Sequence, residues 1–143
     1  MQKIASLLIA AVMVATGLVV ATTSPASAGR DCYGGLKDTY TTIEAPATVK
    51  RWRKARITVT VSSDSNGTPK GKVLLRVRRQ EAGFFWGDVK RLTNGNVRFR
   101  TPRLKKTGDY TVIARFERKA GSCWKDSDGV AEFTVVPARR PRR

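Results

Sequence analysis

The chain has 143 residues, with 28 Lys and Arg against 11 Asp and Glu, no histidine and a net charge of +17 at neutral pH. That length suits one modest domain. The absence of histidine removes the usual neutral-pH general base and the commonest metal ligand, and two cysteines are too few for a thiolate zinc site. A field of this size attracts polyanions and repels cations, and it carries no information about fold.

Residues 1–28 read as a secretory leader: Lys3 opens it, an apolar run extends from Ile4 to Val20, Pro25 ends the run, and Ala26-Ser27-Ala28 is the small-x-small pattern cut by signal peptidase. The alternative is a retained membrane anchor, because the run is near bilayer-spanning length. Cleavage after Ala28 would start the mature chain at Gly29. It would leave 115 of the 143 residues and lower the net charge by the single Lys3 to +16. The expected product is secreted, without stable membrane insertion once the leader is gone, and is either released or held at the cell wall by adhesion.

Residues 29–38 are glycine-rich and charged, and Cys32 is their anchor. Two cysteines in an exported chain most simply form one disulfide, Cys32–Cys123, closing a loop of about 90 residues. Two free thiols, or a bond between molecules, are the alternatives. A first strand is expected over Thr39–Glu44, ended by Pro46. Residues 49–56, Val-Lys-Arg-Trp-Arg-Lys-Ala-Arg, read as a basic turn carrying one aromatic. Ile57, Val59 and Val61 then alternate with Thr58, Thr60 and Ser62, a strand by pattern and by propensity.

Asp64, Asn66-Gly67 and Pro69 mark a loop. The next strand is Gly71–Arg79, with Val73, Leu75 and Val77 on one face and Leu74, Arg76 and Arg78 on the other. Gln80–Gly87 reads as a turn that carries Phe84, Phe85 and Trp86 at a hairpin tip. Val89–Leu92 and Asn96–Arg100 are expected to form a hairpin across Asn94-Gly95, with Val97 and Phe99 inward and Arg98 and Arg100 outward. Gly108-Asp109 then turns the chain into Tyr110, Val112, Ala114 and Phe116, which alternate with Thr111, Ile113 and Arg115. In immunoglobulin-like folds a tyrosine at this point hydrogen-bonds back across the corner between the sheets; the simpler reading is a tyrosine that only fills the core. After a loop over Lys119–Gly129, the last strand runs Ala131–Val136, and residues 137–143 form a basic tail with nothing to bury.

About seven short strands without helical periodicity point to an all-β, immunoglobulin-like antiparallel sandwich over residues 39–136. The pattern resembles the bacterial Ig-like domains found as repeats in exported actinobacterial proteins. The residues that carry the resemblance are Pro69-x-Gly71-x-Val73, Leu92-Thr93-Asn94-Gly95 with Val97-Arg98-Phe99, Gly108-Asp109-Tyr110-Thr111-Val112-x-Ala114-x-Phe116, and Phe133-Thr134-Val135. The resemblance implies a non-catalytic spacer, adhesion or carbohydrate-associated module. This chain has one copy of the pattern, and more positive charge than such spacers carry.

No serine has a histidine to activate it, and Asp126 and Asp128 alone supply too few oxygens for a calcium cage. Neither an enzyme, a cofactor nor a bound metal is expected. Lys50, Arg51, Arg53, Lys54 and Arg56 around Trp52 could grip phosphates or sulfates while the indole stacks; the plainer reading is a soluble turn with Trp52 capping the core. Phe84, Phe85 and Trp86 would be a contact platform if exposed and a core lid if folded back. Leu74 and Ile113 are expected to face solvent beside Arg76 and Arg115, a charge-rimmed patch. The leading expectation is a monomeric module that adheres to an anionic polymer such as teichoic acid, an acidic glycan or extracellular nucleic acid. The alternatives are a cationic effector acting on membranes and a module that binds a protein partner.

Overall fold

A computed structural model describes residues 32–138. The expected leader, residues 29–31 and positions 139–143 of the expected tail lie outside the described residues. Among the described residues there are eight strands: β1 (Tyr40–Glu44), β2 (Thr48–Lys50), β3 (Arg56–Ser62), β4 (Gly71–Arg79), β5 (Gly83–Arg91), β6 (Asn96–Arg100), β7 (Gly108–Arg118) and β8 (Ser127–Val136). They form a three-stranded sheet ordered β1-β3-β6 and a five-stranded sheet ordered β2-β8-β7-β4-β5. The expected all-β sandwich is what is found.

The inward positions are those that the alternation marks. Ile57, Val59 and Val61 of β3, Val73, Leu75 and Val77 of β4, and Tyr110, Val112, Ala114 and Phe116 of β7 are all essentially inaccessible to solvent. Each large apolar side chain buried this way contributes about 1.5–3 kcal/mol, so the interior of the two sheets is the main source of cohesion. β4 can lie close against β7 because Gly71 has no side chain. A Cβ there would run into the Glu117 carbonyl and the Phe116 ring.

Tyr110 does more than fill space. Its ring stacks on Phe133 with centroids 5.3 Å apart and takes the edge of Phe85 at 5.6 Å. Its hydroxyl donates to the Lys106 carbonyl at 3.0 Å. This is the back-bonded corner expected of an immunoglobulin-like sandwich, and it pins the segment that crosses from β6 in one sheet to β7 in the other. Leu104, fully buried, closes the core beneath that crossing. Burial holds the Tyr110 phenol above its ordinary pKa of 10.0, with the Arg79 guanidinium acting against the shift.

Several expectations are corrected. Residues 83–87 are not a turn: β5 begins at Gly83, and its register against β4 slips between Val77 and Arg78. That bulge inserts an extra residue, so Phe85 and Trp86 both pack against the core while Phe84 points outward. Strict alternation cannot express two consecutive inward side chains.

Asn94-Gly95 does form the tight turn, with φ of 51° and 75°, but it joins strands of different sheets. Only the bridge Thr93–Asn96 remains of the expected hairpin, because β5 pairs with β4 and β6 with β3. β8 starts at Ser127, inside the expected loop, because its first residues pair with the end of β7. Finally, the basic turn is preceded by a short strand: β2 lies parallel to the end of β8, while the other strand ladders among the described residues are antiparallel.

Cys32 and Cys123 are disulfide-bonded, with 91 residues of sequence separation. The bond ties the segment before β1 to the β7–β8 loop, where Lys37 N also donates to the Cys123 carbonyl at 2.8 Å. For so long a loop the chain-entropy contribution is about 4–5 kcal/mol as an upper value. Reduction should therefore lower the melting temperature sharply yet leave the far-ultraviolet strand signal intact in the cold; equal melting temperatures with and without reductant would show that the bond constrains nothing. Tyr110→Phe should cost about 1 kcal/mol through the lost corner hydrogen bond, measured by urea denaturation. A phenol whose pKa is raised by folding stabilises fully below pH 10 and loses that contribution as pH rises through the raised value. The difference between wild type and variant should accordingly shrink in strongly alkaline buffer.

Candidate functional site

The basic turn is shaped by backbone bonds on both sides. Arg51 N donates to the Val136 carbonyl at 2.8 Å, and Arg53 N to the Lys50 carbonyl at 3.1 Å, closing a four-residue turn over Lys50–Arg53. Trp52 occupies its third position with φ of 70°, which is the glycine position of a type II turn. The turn is also zipped to the β6–β7 crossing: Trp52 N donates to the Leu104 carbonyl at 2.7 Å, and Leu104 N to the Arg53 carbonyl at 2.9 Å. The corner held by Tyr110 thus sets where these cations stand.

The predicted cluster divides into two faces. Lys50, Arg53, Lys54 and Arg56 line a shallow groove of about 540 Å³ together with Glu44, Pro46, Thr48 and Thr58. Glu44 is the one acid in that lining, and among the described residues none of the four cations is in an ion pair. Arg51 turns the other way. Its guanidinium lies 5.2 Å from the Trp52 ring centroid, and its Nε donates to the Lys105 carbonyl at 2.7 Å. Trp52 is half exposed and does not cap the core. One face of its indole is already covered by Arg51, so it stands beside the groove and not in it.

Phe84, Phe85 and Trp86 do not form a single platform, since only Phe84 is widely exposed, at 69%. They also lie far from the basic turn. β2 and β5 are the opposite edges of the five-stranded sheet, about 19 Å apart at four strand spacings. The patch on the outer face of that sheet is where the alternation put it: Leu74 pairs with Arg115 and Ile113 with Arg76. It extends to the exposed Val89, beside Leu74, and Val130, beside Ile113.

Two features went unseen in the sequence. A larger groove of about 650 Å³ opens at the other end of the sandwich, lined by residues of three connections that include Pro69, Lys70, Leu92, Arg118 and Lys119. Its Lys72 is held by Glu117 at 3.0 Å, and the Arg118 guanidinium bonds the Ser122 and Trp124 carbonyls. The second feature is that pairing of β3 with β6 sets Arg100 directly across from Arg56, and Arg98 across from Thr58. The outward placement of Arg98 and Arg100 was legible, but not the strand they would face.

No protein-family model and no curated protein matches the chain. Among solved structures it is similar to the CARDB domain of a Pyrococcus furiosus protein, crystallised with di-metal ions, at 15% identity and a TM-score of 0.49 over 72% of this chain and 96% of that one. It is also similar to part of a Listeria innocua β-glucosidase, at 12% identity and a TM-score of 0.47, covering 70% of this chain and 16% of the enzyme. A β-glucosidase from Erythrobacter marinus gives 14% and 0.47, again over 16% of that chain.

A tryptophan at positive φ carries backbone strain of about 1–2 kcal/mol that glycine does not. Trp52→Gly should therefore be more stable than Trp52→Ala by about 1 kcal/mol in chemical denaturation, the reverse of their order at an ordinary strand position.

Proposed function

We propose that this chain is an extracellular, non-catalytic Ig-like module that binds anionic polymers through the basic end of its sandwich, in the manner of the bacterial adhesion domains its sequence resembles. The observation that carries the reading is the groove lined by Lys50, Arg53, Lys54 and Arg56, in which four cations face one carboxylate. Clustered cations without internal partners are stabilised by an external anion, and arginine offers a planar fork for phosphate, sulfate or carboxylate oxygens. A disulfide that ties down one end of the domain suits the oxidising exterior of a cell. Among the described residues, no helix is long and apolar enough to cross a membrane.

Binding through released counterions makes the logarithm of affinity fall linearly with the logarithm of salt concentration. With inorganic polyphosphate as probe, exchanging Lys50, Arg53, Lys54 and Arg56 for glutamine should flatten that slope by about 3 units, taking about 0.7 per lost contact. The same number of exchanges at the opposite end, at Lys70, Arg91, Arg118 and Lys119, should change it less. Equal flattening by both sets would reduce the groove to diffuse surface charge. Leakage from sealed anionic vesicles at micromolar protein would favour a membrane effector instead.

A further inference from the structure

We propose that the outer face of the three-stranded sheet is a binding track for a linear polyol-phosphate chain, read by Arg56, Arg98 and Arg100; this rests on the polyanion reading above and extends it to residues outside the groove. Register supplies the geometry. Arg56 and Arg100 are direct cross-strand partners, and Arg98 lies two residues before Arg100 on the same face. Directly opposed side chains have Cβ atoms about 4.5–5.5 Å apart, and residues i and i+2 of a strand are separated by about 6.8 Å. Three guanidinium groups therefore share two neighbouring rungs.

Like charges placed directly opposite destabilise a sheet, and no carboxylate stands directly across from Arg98 or Arg100. All three arginines are exposed, and among the described residues none is in an ion pair. The acid of this face, Glu44, pairs across from Thr58 on the far strand, diagonal to Arg56 with which it lines the groove, but two strand spacings from Arg98. Lys90 borders the face on the β5 side; its Nζ lies 3.9 Å from an Asp88 carboxylate oxygen, donates to the Arg98 carbonyl at 3.0 Å and lies 5.3 Å from the Phe99 ring centroid. The missing counter-charge is what a ligand would bring. Arg56 also lines the groove at the basic turn, so groove and face form one continuous path.

The rest of the face decides the chemistry of the ligand. Its other outward residues include Thr42 and Thr58, whose hydroxyls can donate to phosphate oxygens, and Thr60, whose hydroxyl donates to Asn96 Oδ1 at 2.8 Å. The single aromatic is Tyr40 at the far end, where its hydroxyl donates to Asp64 at 2.9 Å. Single-stranded nucleic acid is held by bases stacked on aromatic side chains; the half-exposed Trp52 beside the groove already has Arg51 against its ring, and no aromatic shares the outward face of β6 with Arg98 and Arg100. A chain read through its phosphates alone fits better. A three-carbon polyol unit between phosphates is also closer to the arginine spacing along β6 than are the directly linked phosphates of inorganic polyphosphate.

The test compares the disulfide-bonded protein with Arg98→Gln/Arg100→Gln, using soluble poly(glycerol phosphate) and an oligodeoxythymidylate as probes. Free of ligand at low salt, the double variant should melt about 1–4 °C higher than wild type, because a like-charge pair is gone. That rise also shows that the variant folds. Its affinity for poly(glycerol phosphate) should fall at least about tenfold and its salt slope by about 1.4 units, the share of two phosphate contacts. Wild-type affinity and slope in the double variant would overturn the track, and would leave the polyanion reading standing if the groove variant still loses binding. Oligodeoxythymidylate binding as tight as poly(glycerol phosphate), with the same loss on Arg98→Gln/Arg100→Gln, would overturn the assignment of ligand.

Discussion

The structure depends most on how Tyr110 is held. Its ring lies between Phe133 and the edge of Phe85, and its hydroxyl donates to the Lys106 carbonyl. The first two contacts bind β7 to β8 and to the edge strand β5; the third fastens the chain as it leaves one sheet for the other. Because the crossing is fixed, Leu104 is fixed, and its backbone holds Trp52 and Arg53 in turn. A core aromatic thus positions an exposed cationic turn through a short series of hydrogen bonds. Without that support the backbone of the turn would have to lose its own conformational entropy to hold the same shape.

The two ends of the sandwich are stabilised by different means. At the end carrying the basic turn, the crossing is closed by Leu104, by the tyrosine corner and by Thr101, whose hydroxyl accepts from Ala55 N at 2.9 Å. The other end is closed covalently by Cys32–Cys123 and by the bonds of Lys37 to the neighbouring loop. The corner end can therefore tolerate like charges set close together. Arg56 beside Arg100 is a local cost of the order of 1 kcal/mol or less, small against the burial of Ile57 and Phe99, which pair directly on the opposite side of the same strands.

The aromatic segment illustrates how a small irregularity redirects side chains. Had β5 paired with β4 in perfect register, alternation would have sent Phe84 and Trp86 to one face. The bulge opposite Val77 and Arg78 instead turns Phe85 and Trp86 toward the core and leaves Phe84 outside. The result is a lid of two rings with one exposed ring.

What the sequence determined by itself is whatever depends on near neighbours. Alternation identifies the buried faces of β3, β4, β6 and β7, because a side-chain period of two is a property of an extended backbone. Asn94-Gly95 specifies its turn, because few residues accept positive φ. Tyr110, placed just after Gly108-Asp109, announces the corner. Two cysteines and no third leave one intramolecular pairing, the bond that forms. Tertiary structure decided the partners: that the Asn94-Gly95 turn joins two sheets and not two paired strands, that Thr48–Lys50 pairs with β8 as the edge strand β2, and that Arg100 faces Arg56. A strand's own pattern says which face is buried and nothing about which neighbour completes its hydrogen bonds, since every backbone offers the same donors and acceptors. That choice is made by long-range packing of the whole core, and the electrostatic surface of this protein follows from it.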